Sequence, residues 1–134
     1  MTTETDVSAT IRIEGAKRGM MLMRNNSGAF KDTSGRWIRF GLGNDSRRVN
    51  DLMKSSDLVG VMSGAYWGFP GIAGIMSCIE SKKPGWRYVG TEHERAQLNF
   101  INIVQRHGGF ACFATSWSDV ENEITRFFSK RANT

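Results

Sequence analysis

Hydrophobic positions along the chain keep two rhythms. Val7 and Ile11 lie four apart, and Glu4 falls on the same line by helical spacing. Thr3 is a capping residue. Glu4 and Asp6 suit a positive helix start, Arg12, Lys17 and Arg18 suit the other end, and Gly19 is a stop. Residues 3–18 are thus predicted helical, with one carboxylate aimed toward the body of the protein. "MMLMR" (20–24) reads as a buried strand and "NNSGAFKDTSG" (25–35) as a polar loop of turn residues. "RWIRFG" (36–41) is a short strand with a basic side, and residues 42–56 form a connector with one helical turn. "DLVGVM" (57–62) and "IMSCIES" (75–81) read as strands joined through "SGAYWGFPGIAG" (63–74), a glycine-rich aromatic hairpin tip.

The helical rhythm returns over 92–107. Thr91 and Glu94 form a capping box. Leu98, Ile101 and Gln105 share one line, and Gln97, Phe100, Ile101 and Val104 another. "FACFAT" (110–115) is a further buried strand. A last helix over 119–131 has Ser118 and Glu121 as its box and Val120, Ile124, Phe127 and Phe128 as its apolar face. The order is helix, three or four strands, helix, strand, helix. It predicts an α/β domain with helices flanking one mixed sheet.

Composition narrows the partners. The 134 residues suit one domain over 1–134, and ordinary apolar content excludes a disordered chain. Eighteen basic against 13 acidic residues give +5, and arginines outnumber lysines 12 to 6. Guanidinium forks match phosphate oxygens, so the excess tilts the partner toward nucleic acid. Cys78 and Cys112 lie in apolar runs and read as buried free thiols, which excludes a disulfide framework or zinc pattern. The polar start "MTTETDVSAT" is no signal peptide, and the longest apolar run (65–79) is broken by Gly and Pro. An intracellular protein without a membrane association is expected.

The chemistry centres on "CIESKKPG" (78–85). A strand alternates faces, so Glu80 and Lys82 point the same way with the Ser81 carbonyl between them. A hard divalent cation wants oxygen ligands, which Glu80 and residue 81 supply, and Lys82 beside it would orient or help deprotonate a water. A second carboxylate is needed. Asp57, opening the neighbouring apolar strand, supplies it, and Glu4 is a third candidate. Asp45 and Asp51 are rivals to Asp57, but neither is followed by an apolar strand. The plain alternative is a strand-end ion pair: chance alone gives about 0.6 acid-x-Lys triplets in such a chain.

Several segments together resemble the virus-type replication-repair nuclease family (VRR-NUC), a branch of the PD-(D/E)xK, restriction-endonuclease-like fold. They are "TETDV", "AKRGMMLMRNNSGAF", "GRWIRFGLG", "SSDLVGV", "IESKKPG", "HERAQLNFI" and "GGFACFATS", in family order and over nearly the whole chain. The resemblance implies Mg²⁺- or Mn²⁺-dependent cleavage of phosphodiester bonds in DNA. It assigns Glu4, Asp57, Glu80 and Lys82 to the catalytic positions, with Asp57, Glu80, the Ser81 carbonyl and Glu4 as metal ligands. Gln97 looks like the supporting glutamine of the following helix. Stand-alone members of this size are associated with phage genomes, homodimers and cleavage of branched DNA such as four-way (Holliday) junctions. A bacterial cytoplasm is the expected location. Ser81 departs from the usual apolar residue between Glu and Lys, and residues 46–54 make a long approach to Asp57.

In that frame Arg24, Asn25 and Asn26 approach the DNA backbone or the active site, or else fix their loop. Lys31, Arg36 and Arg39 are phosphate contacts or an ordinary solvated face, and Lys83 and Arg87 stand where a phosphate would pass. His93 and His107 read as surface helix residues. Trp67 and Phe69 are a dimer anchor, a wedge between bases, or local core. A DNA-binding accessory without activity is the alternative function, and an interaction domain with incidental charge a further one.

Overall fold

The computed structural model describes residues 1–132. Helix α1, Glu4–Ala16, is capped by Thr3: its Oγ1 accepts from Asp6 N at 3.2 Å, and the Asp6 carboxylate accepts from Thr3 N at 2.8 Å. Strand β1, Met20–Arg24, follows. Then come β2, Gly28–Lys31, and β3, Trp37–Phe40, a short helix α2, Arg47–Leu52, and β4, Leu58–Met62. A 3₁₀ turn, Gly64–Trp67, leads toward β5, Ile75–Ser81. Helix α3, Glu92–Arg106, strand β6, Phe110–Ala114, and helix α4, Trp117–Ala132, complete the chain.

Four strands form one mixed sheet in the order β1-β4-β5-β6, so this is an α/β protein with helices flanking a mixed sheet. β1, β4 and β5 run antiparallel; β6 lies parallel to β5, which the α3 crossover makes possible. Alternation along the strands splits the apolar residues between two layers. Leu58, Met62, Ile75 and Ile79 face Val7 and Ile11 of α1 and Val120, Ile124 and Phe128 of α4. Cys78 and Ala111 face Phe100, Ile101 and Val104 of α3. α3 covers only the β5–β6 half of its face. On the other half Met21, Met23 and Val61 are exposed, as is Met76 beside Val61 at the start of β5, so β1 is half-buried rather than buried. Among the described residues no helix is long and apolar enough to cross a membrane.

Three segments differ from the sequence reading. The loop expected over 25–35 contains β2, paired with β3 as a separate two-stranded hairpin. Its turn residues form the hairpin tip: Asp32 Oδ1 accepts from Ser34 N and Arg36 N, each at 2.9 Å, and Gly35 takes a positive φ. Four strand residues between turn signals carry too little periodicity to be seen. The 63–74 excursion folds onto the main core instead of projecting. Trp67, Phe69 and Ile72 pack there, and Phe69 stacks on Phe128 at 4.8 Å between centroids. The local-core reading of Trp67 and Phe69 therefore holds, against anchor or wedge. The last helix starts earlier than 119, because Ser116 and not Ser118 caps it: Asp119 N donates to Ser116 Oγ at 3.1 Å.

β1 and β4 meet tightly at Gly60, where a Cβ would collide with the Met21 carbonyl oxygen. Gly60→Ala is expected to cost about 3 kcal/mol in urea unfolding, as overpacking against backbone does. Gly71→Ala, with open space around it, serves as the near-neutral control.

Candidate active site

The antiparallel register pairs Leu58 with Ile79, so Asp57 at the mouth of β4 comes beside Glu80 on β5. The two acids then hold each other's backbone. Asp57 N donates to Glu80 Oε2 at 3.1 Å, and Ser81 N donates to Asp57 Oδ1 at 3.0 Å. Glu80 and Lys82 share a strand face and both reach Gln97 on α3. Lys82 Nζ donates to Gln97 Oε1 at 2.9 Å, and Gln97 Nε2 donates to Glu80 Oε1 at 2.8 Å. An ammonium only donates, so the Gln97 carbonyl must face it, and the amide nitrogen is left for the carboxylate. Glu80, Ser81, Lys82 and Gln97 are all buried. The Lys82 ammonium also stands 5.3 Å over the Trp86 ring and 5.9 Å from that of Phe113.

Burial and charge crowding mark the pair. Burial first, and the Asp57 charge second, push the Glu80 carboxyl up to about 8. Burial also raises the Asp57 carboxyl, against the lowering pull of the Ser81 N–H. Glu4 raises both. It stands exposed on the first turn of α1, at the rim of a cavity of about 250 Å³ that it lines with Ser8, Arg24, Asn26 and Asp57. Ser8 Oγ donates weakly to Asp57 Oδ2 at 3.5 Å.

This donor set fits a hard divalent cation. Two adjacent carboxylates and the Ser81 carbonyl are oxygen ligands, and such ions keep several waters when protein supplies only one or two carboxylates. Among the described residues no three His, Cys, Asp or Glu side chains converge as a metal cage, so Glu4 belongs to the rim of the site rather than its centre. Burial and repulsion among the acids raise the two carboxyls although the Lys82 charge pulls both down. Asp45 and Asp51 are exposed, and neither bonds to this network.

The proposed DNA contacts divide. Arg24 and Asn26 line the Asp57 cavity. Asn25 turns inward: Nδ2 donates to Ser55 Oγ and Ser56 O at 2.8 Å each, and Oδ1 accepts from Leu42 N at 3.2 Å. Its side chain fixes the loop and is not offered to a ligand. Lys31, Arg36 and Arg39 lie on the β2–β3 hairpin, where Arg39 donates to Asn44 Oδ1 at 3.0 Å and Arg36 to Asp32 Oδ2 at 3.3 Å. Lys83 and Arg87 are exposed on the turn after β5.

The sequence reading missed three residues. His93 is exposed, as expected, yet its Nε2 lies 3.1 Å from Gln97 Nε2. Desolvation, then the charges of Lys54 and Lys82, lower its pKa, which favours a neutral ring accepting from Gln97. The four-residue step from His93 to Gln97 was the available signal. Trp86 holds its place over Lys82 by donating from Nε1 to Glu94 Oε2 at 2.9 Å. Arg12 lines the Asp57 cavity and donates from Nε to Leu22 O at 3.4 Å. His107 stays at the surface and bonds to the Ile103 carbonyl oxygen.

Comparison with protein-family models, with curated proteins and with solved structures finds no match to this chain.

The raised Glu80 carboxyl has a consequence for stability. The folded state holds that proton up to about pH 8, whereas the unfolded chain releases it near 4.5. The stabilising contribution is complete below 4.5 and is lost as pH rises to 8. Metal-free protein is therefore expected to melt at progressively lower temperature across that window. Glu80→Gln should flatten the slope in calorimetry.

Proposed function

We propose that this chain is a metal-dependent endodeoxyribonuclease with the PD-(D/E)xK fold, of the virus-type replication-repair kind. Its substrate is branched DNA such as a four-way junction, met during phage or bacterial DNA replication, recombination or repair. One observation carries the reading: Asp57, Glu80, Lys82 and Gln97 form a single hydrogen-bonded network, largely buried, at one end of the sheet. A strand-end ion pair would leave Lys82 in water and would need no glutamine between the charges.

Mg²⁺ or Mn²⁺, held by Asp57, Glu80 and the Ser81 carbonyl with Glu4 acting through water, would polarise the scissile phosphate and lower the pKa of a water. The chain's own groups do the rest. Gln97 holds Lys82 Nζ and Glu80 Oε1 at fixed places, so neither side chain must reorganise during reaction. Lys82 Nζ orients the water that attacks phosphorus while the bond to the leaving sugar oxygen breaks. Trp86 and Phe113 keep bulk solvent from the ammonium. Arg24 and Arg12, which line the same cavity as Glu4 and Asp57, offset the charge of the phosphate that enters.

Lys82→Ala is expected to lower cleavage of a four-way junction by about 10²–10⁴-fold, the usual loss for a proton-handling group. Junction affinity in Ca²⁺ should stay within about twofold. Equal cleavage by this variant would remove Lys82 from the mechanism. Tight DNA binding by the wild type with no metal-dependent cut would favour the DNA-binding accessory instead.

A homodimer belongs to the same proposal, and the edge strand supports it. Ser63 N bonds to Gly19 O and Asn25 N to Asp57 O, so the ladder uses the odd-numbered residues of β1. The backbone groups of Met20, Leu22 and Arg24 thus face the free edge. Arg12 Nε reaches Leu22 O on this edge at 3.4 Å, and the edge, flanked by exposed Met21, Met23 and Val61, is self-complementary about Leu22: an antiparallel second copy displaces that contact and sets Met21 against Met23. Sedimentation equilibrium is expected to give a dimer for the wild type and a monomer for Met21→Glu. A monomeric wild type would exclude this contact.

A further inference from the structure

The β2–β3 hairpin is built unlike the rest of the molecule. It is a two-stranded sheet of its own, and both of its faces meet solvent. An isolated hairpin is marginal in water, so something must hold this one. Its root is what is held. Asn25, just before β2, bonds through its backbone to Asp57 O at 2.7 Å and through its side chain to Ser55, Ser56 and Leu42, just beyond β3. Asn44 closes the same root, donating to Gly28 O at 2.9 Å and to Phe40 O at 3.0 Å. The first end of the hairpin is thus bolted to the segment that carries Asp57 and the second end is tied to the first, while the blade stands free.

The blade's two faces differ in chemistry. Phe30 pairs with Ile38 and Gly28 with Phe40, which collects Phe30, Ile38 and Phe40 on one side. The Phe40 ring lies over Gly28, where a Cβ would meet its edge at 2.8 Å. The opposite side carries Lys31, Trp37 and Arg39, with the Lys31 ammonium 5.3 Å over the Trp37 ring. Phe30 is 52% and Trp37 63% exposed, although aromatic residues of this size are seldom left in water. The single acid, Asp32, is engaged by the turn and by Arg36, so the face carries free positive charge.

We infer that this hairpin is a strand-separating pin that recognises unpaired nucleotides at a DNA branch. Its aromatic face caps the last base pair, and its cationic face carries the departing strand. An apolar aromatic surface suits an unstacked base pair, and an indole beside an ammonium suits a base followed by its phosphate. The charge favours a polyanion over an apolar protein surface. This rests on the reading of the neighbouring site as a DNA nuclease, and it explains how that site would find branched DNA. The rigid root fixes the distance from the branch to the cut.

The test is binding, not cleavage. A splayed duplex with 2-aminopurine at the branch and a matched linear duplex are titrated with full-length protein in EDTA. The wild type is expected to prefer the splayed DNA and to raise 2-aminopurine fluorescence. Phe30→Ser with Trp37→Ser should lose about tenfold in splayed-DNA affinity for each stacked base, with duplex affinity within about twofold. Trp37→Phe should keep most of the preference, which separates loss of stacking from loss of fold. An unchanged preference in the double variant, or none in the wild type, overturns the pin. So does a double variant that turns a dimer into a monomer, which would assign the face to a second copy. Failure of the nuclease reading shows separately, as absent metal-dependent cleavage with branch preference intact.

Discussion

Two carboxylates held side by side, Glu80 buried and Asp57 half-buried, are the constraint around which this molecule is arranged. Asp57 and Glu80 lie beside each other at the end of β4 and β5, and burial raises both. Left alone, such a pair would push the strand ends apart. Each acid instead accepts a backbone N–H from the other's neighbourhood, Asp57 N to Glu80 and Ser81 N to Asp57. The last rungs of the ladder thereby become part of the site. The tight contact of Gly60 with the Met21 backbone fixes how β1 lies against β4 on the far side of that ladder. Sheet register and carboxylate geometry are one problem, solved once.

Gln97 settles the remaining electrostatics. A direct Lys82–Glu80 contact would satisfy both charges and leave neither for a ligand. The amide separates them while hydrogen-bonding each, so both groups are fixed in place without a direct ion pair. α3 can deliver this side chain because its capping box, Thr91 with Glu94, fixes where the helix begins. The same Glu94 holds Trp86 over the lysine. One buried acid at a helix start therefore sets both the height of Gln97 and the lid over Lys82.

Most of the sheet was legible because alternation and helical spacing carry it. Glu80 and Lys82 share a face by strand period alone, and Val7 with Ile11, and Phe100 with Val104, announce their layers. What failed was short or tertiary. β2 holds four residues between turn signals, too few to show a period. Trp67 and Phe69 looked like a projecting tip because nothing local says that Phe128 waits beneath them. His93 has the right spacing to Gln97 but an exposed edge, so only the folded contact reveals it. Asn25 carried two readings, a DNA contact or a loop-fixing residue, and its inward bonds to Ser55 and Ser56, about thirty positions away in sequence and adjacent only through the sheet, show the loop-fixing one at work.

Asn25 also shows why the molecule divides its labour as it does. A site of two adjacent acids, one of them buried, tolerates little movement, since each hydrogen bond that fixes them is short in reach and replaceable only by water. A surface that is to meet a partner, as the proposed pin would, needs the opposite: exposed side chains, few local constraints and room to approach. Attaching such a surface directly to the sheet would import its motion into the carboxylates. The chain instead places Phe30, Trp37 and Phe40 on a separate hairpin and gathers restraint at the root, through Asn25 and Asn44. The blade can then yield to a partner while the Asp57 backbone, which accepts from Asn25 at 2.7 Å, stays where the sheet puts it.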